Sequence, residues 1–355
     1  MILQQDDMYG FSESKTSNDS DGDGIQNEYD SCPNGIENWT SNNSMIDNDG
    51  DGCKDHGVMT EWILDTNETS ETSNGDRHTR KVASTQDGGF VIIGYYTENF
   101  SIGHLNFVYP EIGEWDSGSA IYIVKYDQNN NPDWGTSAYS NNTYHTGSTI
   151  AKEVRINPIN NHIVIAGEYY VQFNIQGTSV YGQDGSSIFI LSLDENGVLQ
   201  QLISSTTNGN AMSGEVSLKG FDISNSGDMV ITGQCRIEFG GTRFIANEEL
   251  QCAETNNQEK TYFIIYINSS FEVEWATYFQ GQGYGSESQT LLPVFHDQYG
   301  IFIFGALYAE WGIMEFTNSS GSIYLSTYLP YENRLGSCDF MPFISIIDLF
   351  GNWTF

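Results

Sequence analysis

The segment DSDGDGIQNEYD, which begins at Asp19, holds the residues of this chain best placed to do chemistry. With Asp19 as position 1, Asp21 and Asp23 fall at 3 and 5, Gly24 at 6, Ile25 at 7, Asn27 at 9 and Asp30 at 12. Alternate residues of a tightly curved loop turn their carboxylates inward and position 7 adds its backbone carbonyl, which builds the shell of hard oxygens that Ca2+ prefers. Gly24 stands at the sharpest bend, where a Cβ would clash. A second segment, DNDGDGCKD, repeats the order with Asp47, Asp49 and Asp51 at positions 1, 3 and 5, Gly52 at 6, Cys53 at 7 and Asp55 at 9. Its position 12 is Val58, which is no ligand, so this loop binds more weakly or borrows an oxygen from Glu61 or a water. The competing reading is a solvated acidic linker. Two in-register copies, each with a cysteine in or beside it, weigh against that.

No amphipathic helix flanks either loop, so neither is an EF-hand. Residues 1–60 hold 13 acids and two lysines, a net of 2 − 13 = −11, with almost no apolar run. Such a stretch cannot bury a core and needs another source of order. Cys32 follows Asp30 by two residues and precedes Pro33, so the pattern D-x-D-x-D-G-x-x-N-x-x-D-x-C-P over about residues 17–58 resembles a thrombospondin type 3 repeat. The resemblance implies acidic loops wrapped around calcium ions, with a disulfide replacing the missing core, here Cys32 to Cys53. Residues 1–16 read as a flexible N-terminal segment. Clustered carboxylates repel one another, so metal binding and folding of this module should be coupled.

From about residue 59 the composition changes to short strand-like runs between turn dipeptides. A turn, a β-rich run and a glycine recur four times: QDGGFVIIG ending at Gly94, PINNHIVIAG at Gly167, NSGDMVITG at Gly233 and DQYGIFIFG at Gly305. After each comes an apolar run with an acidic or Asn-containing turn, such as AIYIVKYDQNNNPDW or SIFILSLDENGVLQ, and between the two lies an aromatic element such as NFSIGHLNF. Each unit of about 70 residues thus offers roughly four strands, which is what a propeller blade requires. Poor alternation within FVIIG, IVIAG and MVITG suits strands covered on both faces. These segments resemble SBBP-type β-propeller repeats. The resemblance implies an all-β, β-propeller-like array of about four four-stranded blades over residues 59–355, with blades at about 60–133, 134–199, 200–274 and 275–352. In that division an aromatic opens a unit at Trp62, Trp134, Trp275 and Trp353. A stacked solenoid or paired β-sandwiches are the structural alternatives.

Five cysteines leave Cys235 and Cys252 to bracket an enlarged loop, read as a second disulfide; two free thiols are the alternative. Cys338 is left over, either buried or paired with Cys53. An oxidising compartment suits such pairs, and nine Asn-X-Ser/Thr sites are compatible with it. No signal peptide stands at the N-terminus of this chain, yet an extracellular or cell-surface setting fits best.

With 47 acids against 13 Lys and Arg, a net charge of −34, the chain lacks the clustered cations that bind duplex nucleic acid or anionic lipid. No apolar stretch is long enough to span a membrane. There is no G-x-S-x-G elbow, HExxH helix or P-loop, and the six histidines are isolated in sequence. The expected function is therefore binding: a calcium-stabilised acidic stalk that carries a β-propeller for a protein or glycan partner. A structural envelope repeat, or an extracellular polysaccharide hydrolase or lyase, is the alternative.

Overall fold

The computed structural model describes residues 77–110, 118–140, 148–208, 214–237, 242–246, 248–250, 252–254, 261–282, 287–296, 300–308, 312–318, 321–327 and 341–354, with Ser20 and Gln26. Contacts divide the chain into residues 1–65 and 66–355, and the architecture below belongs to the second part. It is all-β, with no helix among the described residues.

Four units follow one another, each an antiparallel meander of four strands. The first comprises β1 (Arg77–Ser84), β2 (Phe90–Tyr96), β5 (Ala120–Tyr126) and β6 (Pro132–Ser140), with a small hairpin, β3 (Phe100–Ile102) and β4 (Leu105–Phe107), inserted after β2. The second comprises β7 (Ile150–Ile156), β8 (Ile163–Ile175), β9 (Thr178–Leu193) and β10 (Leu199–Asn208). In the third, β11 (Gly214–Ile223), β12 (Met229–Ile237), β16 (Thr261–Ile267) and β17 (Val273–Gln282) surround an insert of β13 (Thr242–Ile245), β14 (Glu248–Leu250) and β15 (Ala253–Glu254). The fourth has β18 (Glu287–His296), β19 (Gly300–Tyr308), β22 (Met341–Ile347) and β23 (Trp353–Thr354), with the hairpin β20 (Gly312–Asn318) and β21 (Gly321–Thr327) inserted.

The unit boundaries differ from the sequence expectation. Trp134 and Trp275 lie on the last strands of the first and third units, not the first strands of the second and fourth. The reason is the preceding turn. Asp127, Asp194, Asn268 and Asp348 each accept backbone N–H groups two and four residues ahead, at 2.8–3.0 Å, and a left-handed residue follows at Asn130, Gly197, Phe271 or Gly351. Such a tight turn returns the chain onto its own strand, so the tryptophan closes a unit. Trp353 pairs with Ile347 at the register held by Val273 in the third unit, two residues short of the Trp275 position.

The core explains the unbroken apolar runs. One cluster joins Val91, Ile93, Ile121 and Ile123 of the first unit to Ile163, Ile165 and Leu191 of the second. A second joins Val164, Ala166, Ile188 and Ile190 to Met229, Ile231, Phe263 and Ile265 of the third. A third joins Val230, Tyr262 and Ile264 to Leu291, Ile301 and Ile303 of the fourth. Successive residues of β8 and β12 therefore face opposite neighbours, and both faces of the middle units are buried. The fourth unit instead exposes Leu292, Val294, Phe304 and Ile344, and Leu292, Phe304 and Ile344 pair across three strands in one row.

The inserts tie neighbours together. Residues Phe173–Ile175 of β8 pair with β6, β13 pairs with β10 and β20 pairs with β17, so each hairpin extends the last strand of the unit before it. The Cys235–Cys252 disulfide, Cα–Cα 5.2 Å, fastens the insert of the third unit to β12. The tryptophans add a further link: Trp134 donates to Glu195 O at 2.8 Å and Trp275 to Leu349 O at 3.0 Å, each a turn of the next unit.

Tyr126, stacked on Phe90 at 4.6 Å, has a buried hydroxyl with no hydrogen-bond partner among the described residues. Burial first, and Tyr122 second, push its phenol up from 10.0 to about 12. A folded value above the unfolded one contributes stability that is complete below pH 10 and is lost as pH rises through about 12. Tyr126→Phe is therefore expected to be neutral, or stabilising by up to about 1 kcal/mol, at pH 7. It should also flatten the fall in urea midpoint over that alkaline window.

Candidate functional site: a cationic cavity on the first strands

The first strands of the units lie side by side in chain order, β1 against β7, β7 against β11 and β11 against β18. Each of the first three carries a β-bulge beside its repeat glycine. Arg80 is the extra residue next to the Thr79–Gly94 pair, Lys152 next to Ala151–Gly167 and Lys219 next to Leu218–Gly233. Bulges re-aim side chains, and here three successive units aim a cation from the same position. In the fourth unit Leu291 pairs directly with Gly305 and the bulge falls at Gln289, so the cation is not repeated.

These residues surround a cavity of about 410 Å³, lined also by Lys81, Glu153, Ile150, Ala151, Leu218 and Gly220. Four of the chain's 13 Lys and Arg thus meet at one place in a molecule of net charge −34. Two carboxylates answer them. Glu153 pairs with Lys81 at 2.9 Å and Arg155 at 3.1 Å, while Glu168 takes Lys152 along with the Ser217 hydroxyl and the Leu218 N–H, each of the latter at 2.7 Å. Lys152 also donates to Leu218 O at 3.1 Å, and Arg155 reaches Asp222 at 3.4 Å. Some of this cluster therefore staples one unit to the next. Arg80 is different: it is exposed, lies 5.0 Å from the Tyr95 ring centroid and has no carboxylate partner among the described residues. Four cations line the cavity against one carboxylate, Glu153, among the described residues. The arrangement can hold an oxyanion; it has no pair of free carboxylates for acid and base work.

Asp19, Asp21, Asp23, Ile25, Asn27, Asp30, Asp47, Asp49, Asp51, Cys53 and Asp55, together with Cys32 and Cys338, lie outside the described residues. No group of three or more His, Cys, Asp or Glu side chains converges among the described residues in a way that could hold a metal ion, so the calcium reading rests on the loop sequences. Their donor set, carboxylate and carbonyl oxygens with one Asn, fits a hard cation.

Sequence reasoning missed the cavity. A signal for it exists: a cation precedes each of the first three repeat glycines by 14 or 15 residues (94 − 80, 167 − 152, 233 − 219).

No family model and no curated protein matches the chain. A crystal structure of a protein of unknown function from Dyadobacter fermentans DSM 18053 is similar over 78% of this chain and 93% of its own length, at 9% identity and a TM-score of 0.27. A likeness at that level bears on neither the fold nor the function. No helix among the described residues is long and apolar enough to cross a membrane.

Proposed function

We propose that this chain is an extracellular or cell-surface binding protein in which a propeller-like β array is joined to a calcium-binding acidic module. In this reading the cavity on the first strands is the seat for an oxyanion borne by a glycan or protein partner. The observation that carries it is the convergence of Arg80, Lys81, Lys152 and Lys219 from three units of a chain otherwise dominated by acids. Placing like charges together costs stability, and a bound carboxylate, sulfate or phosphate would offset that cost. The propeller assignment is supported by four four-stranded meanders packed face to face with their first strands adjacent. Calcium would be held by Asp19, Asp21, Asp23, Asn27, Asp30 and the Ile25 carbonyl, and in the second loop by Asp47, Asp49, Asp51, Asp55 and the Cys53 carbonyl. Bound there, it supplies charge neutralisation and a fixed loop shape.

Polysaccharide cleavage is less well served. It needs two carboxyl groups across the scissile bond, whereas the only carboxylate among the described residues that line the cavity, Glu153, is engaged by Lys81 and Arg155. The envelope-repeat reading draws support from the exposed row Leu292, Phe304 and Ile344, since the middle units bury such faces against a neighbouring unit. Sedimentation velocity on the wild type and Ile344→Lys separates it: self-association abolished by the substitution favours assembly.

The binding reading is tested by calorimetric titration of the full chain, in millimolar calcium, with an oligogalacturonate and its neutral methyl ester. Saturable binding of the charged oligomer, weakened by added salt, is expected; equal binding of the ester would contradict it.

A further inference from the structure

The turn between β22 and β23 leaves a second cleft, of about 530 Å³, against the outer part of the third unit. Its walls are Tyr266, Trp275 and the exposed Leu349 and Phe350, and its rim carries Asp228, Asn268 and Glu274. The Tyr266 and Trp275 rings are stacked, 5.4 Å apart and 13° from parallel, and Phe350 is 84% exposed. A largely solvated phenylalanine beside two ordered rings is a surface that water covers poorly.

The polar groups define what could enter. Every side-chain donor at the cleft is already committed within the protein. The Tyr266 hydroxyl donates to Asp228 Oδ2 at 2.9 Å and the Trp275 indole to Leu349 O at 3.0 Å. The Asn268 amide donates to Glu274 Oε1 at 2.6 Å and Glu272 Oε2 at 3.2 Å. What remains for a ligand is carboxylate lone pairs and π faces, and no Lys or Arg among the described residues lines the cleft. The charge acts on its surroundings: burial, reinforced by the Asp228 hydrogen bond and the negative charges of Asp228 and Glu274, raises the Tyr266 phenol above its usual range. Aromatic faces flanked by carboxylates attract cations and give little to anions.

We propose that this cleft binds an organic cation, an ammonium or guanidinium group carried by a small ligand or by a partner's side chain. The cation sits against Tyr266, Trp275 and Phe350, with Asp228 and Glu274 balancing its charge. The Asp228 carboxylate, fixed by the Ser269 N–H at 2.9 Å and the Ser226 hydroxyl at 2.7 Å, is held in place before a ligand arrives. This site is opposite in charge to the cavity on the first strands and does not depend on it.

The test uses the full chain labelled with 5-fluorotryptophan, with the Trp275 resonance assigned through Trp275→Phe. Choline and arginine ethyl ester are titrated as cationic probes, and 3,3-dimethylbutan-1-ol and glucose as neutral ones. A saturable shift of the Trp275 signal with the cations is expected, at least about three-fold weaker in Phe350→Ala and in Glu274→Gln. Phe350 is exposed and Glu274 is solvated, so neither change threatens the fold. Choline favoured over the arginine ester would point to a quaternary ammonium ligand, and the reverse to a basic peptide. No shift with either cation, an equal shift with the neutral butanol or with glucose, or no loss in the variants overturns the proposal.

Discussion

Gly167→Ala is expected to destabilise the β array by about 3 kcal/mol, at the upper end of what overpacking costs, although it adds one methyl group. A Cβ at Gly167 would lie 2.3 Å from the Ile150 carbonyl oxygen and 2.6 Å from Cζ of Phe189. The first obstacle is backbone of a paired strand and cannot move without breaking the ladder. The second is a ring fully buried and stacked on Phe173 at 4.3 Å. The same arrangement recurs at Gly94 with the His78 oxygen and Tyr122, and at Gly233 with the Ser217 oxygen and Phe263. In all three the glycine pairs across the sheet with the aromatic that covers it, and Gly305 stands opposite Phe343 in the strand register. Gly177→Ala is the control. It has open space around its absent Cβ but a φ of +80°, so its cost is conformational and about 1 kcal/mol. Urea unfolding followed by tryptophan emission should show Gly167→Ala shifted well beyond Gly177→Ala. Equal shifts would mean that the glycine serves the turn geometry and not the aromatic.

Calcium removal should produce the second large effect, confined to residues 17–58. That segment carries most of the −11 of residues 1–60, and two calcium ions would supply +4. Without them the carboxylates of Asp19, Asp21, Asp23 and Asp30 repel one another with no apolar core to oppose the repulsion. Limited proteolysis in EDTA is expected to cut within 17–58 at least about ten times faster than in millimolar calcium, while the fragment covering the β array survives in both. Asp21→Asn and Asp23→Asn should raise the calcium concentration needed for protection. A cleavage rate that ignores calcium, with no heat on calcium titration, would remove the calcium module from the account.

How much of this was legible follows from which signals are local. The four turn–run–glycine segments stood out because each is a contiguous string, and all four fall on the second strands β2, β8, β12 and β19. The bridge between Cys235 and Cys252 was also legible, because its ends sit 17 residues apart around one insert. The phase of the units was not. Trp134 and Trp275 mark the strand that ends a unit, and only the Asx-stabilised turns before them, at Asp127 and Asn268, determine which neighbour each strand joins. The pairing of each insert with the preceding unit was hidden as well, since it matches residues such as Ser205 and Ile245 that share no local pattern. The cavity was the hardest to see. Arg80, Lys152 and Lys219 are ordinary polar residues in three strands, and what makes them a site is a bulge at one register position and the packing of β1, β7 and β11 side by side.

The anion seat is tested most directly by reversing two of the cations that line it, Arg80→Glu with Lys219→Glu, while leaving Lys81 and Lys152 in their ion pairs with Glu153 and Glu168. Affinity for an oligogalacturonate is then measured at low ionic strength. The wild-type chain is expected to bind it and the doubly reversed chain to lose at least about 100-fold in affinity. Binding that survives the reversal undiminished would contradict the assignment of this cavity as the binding site.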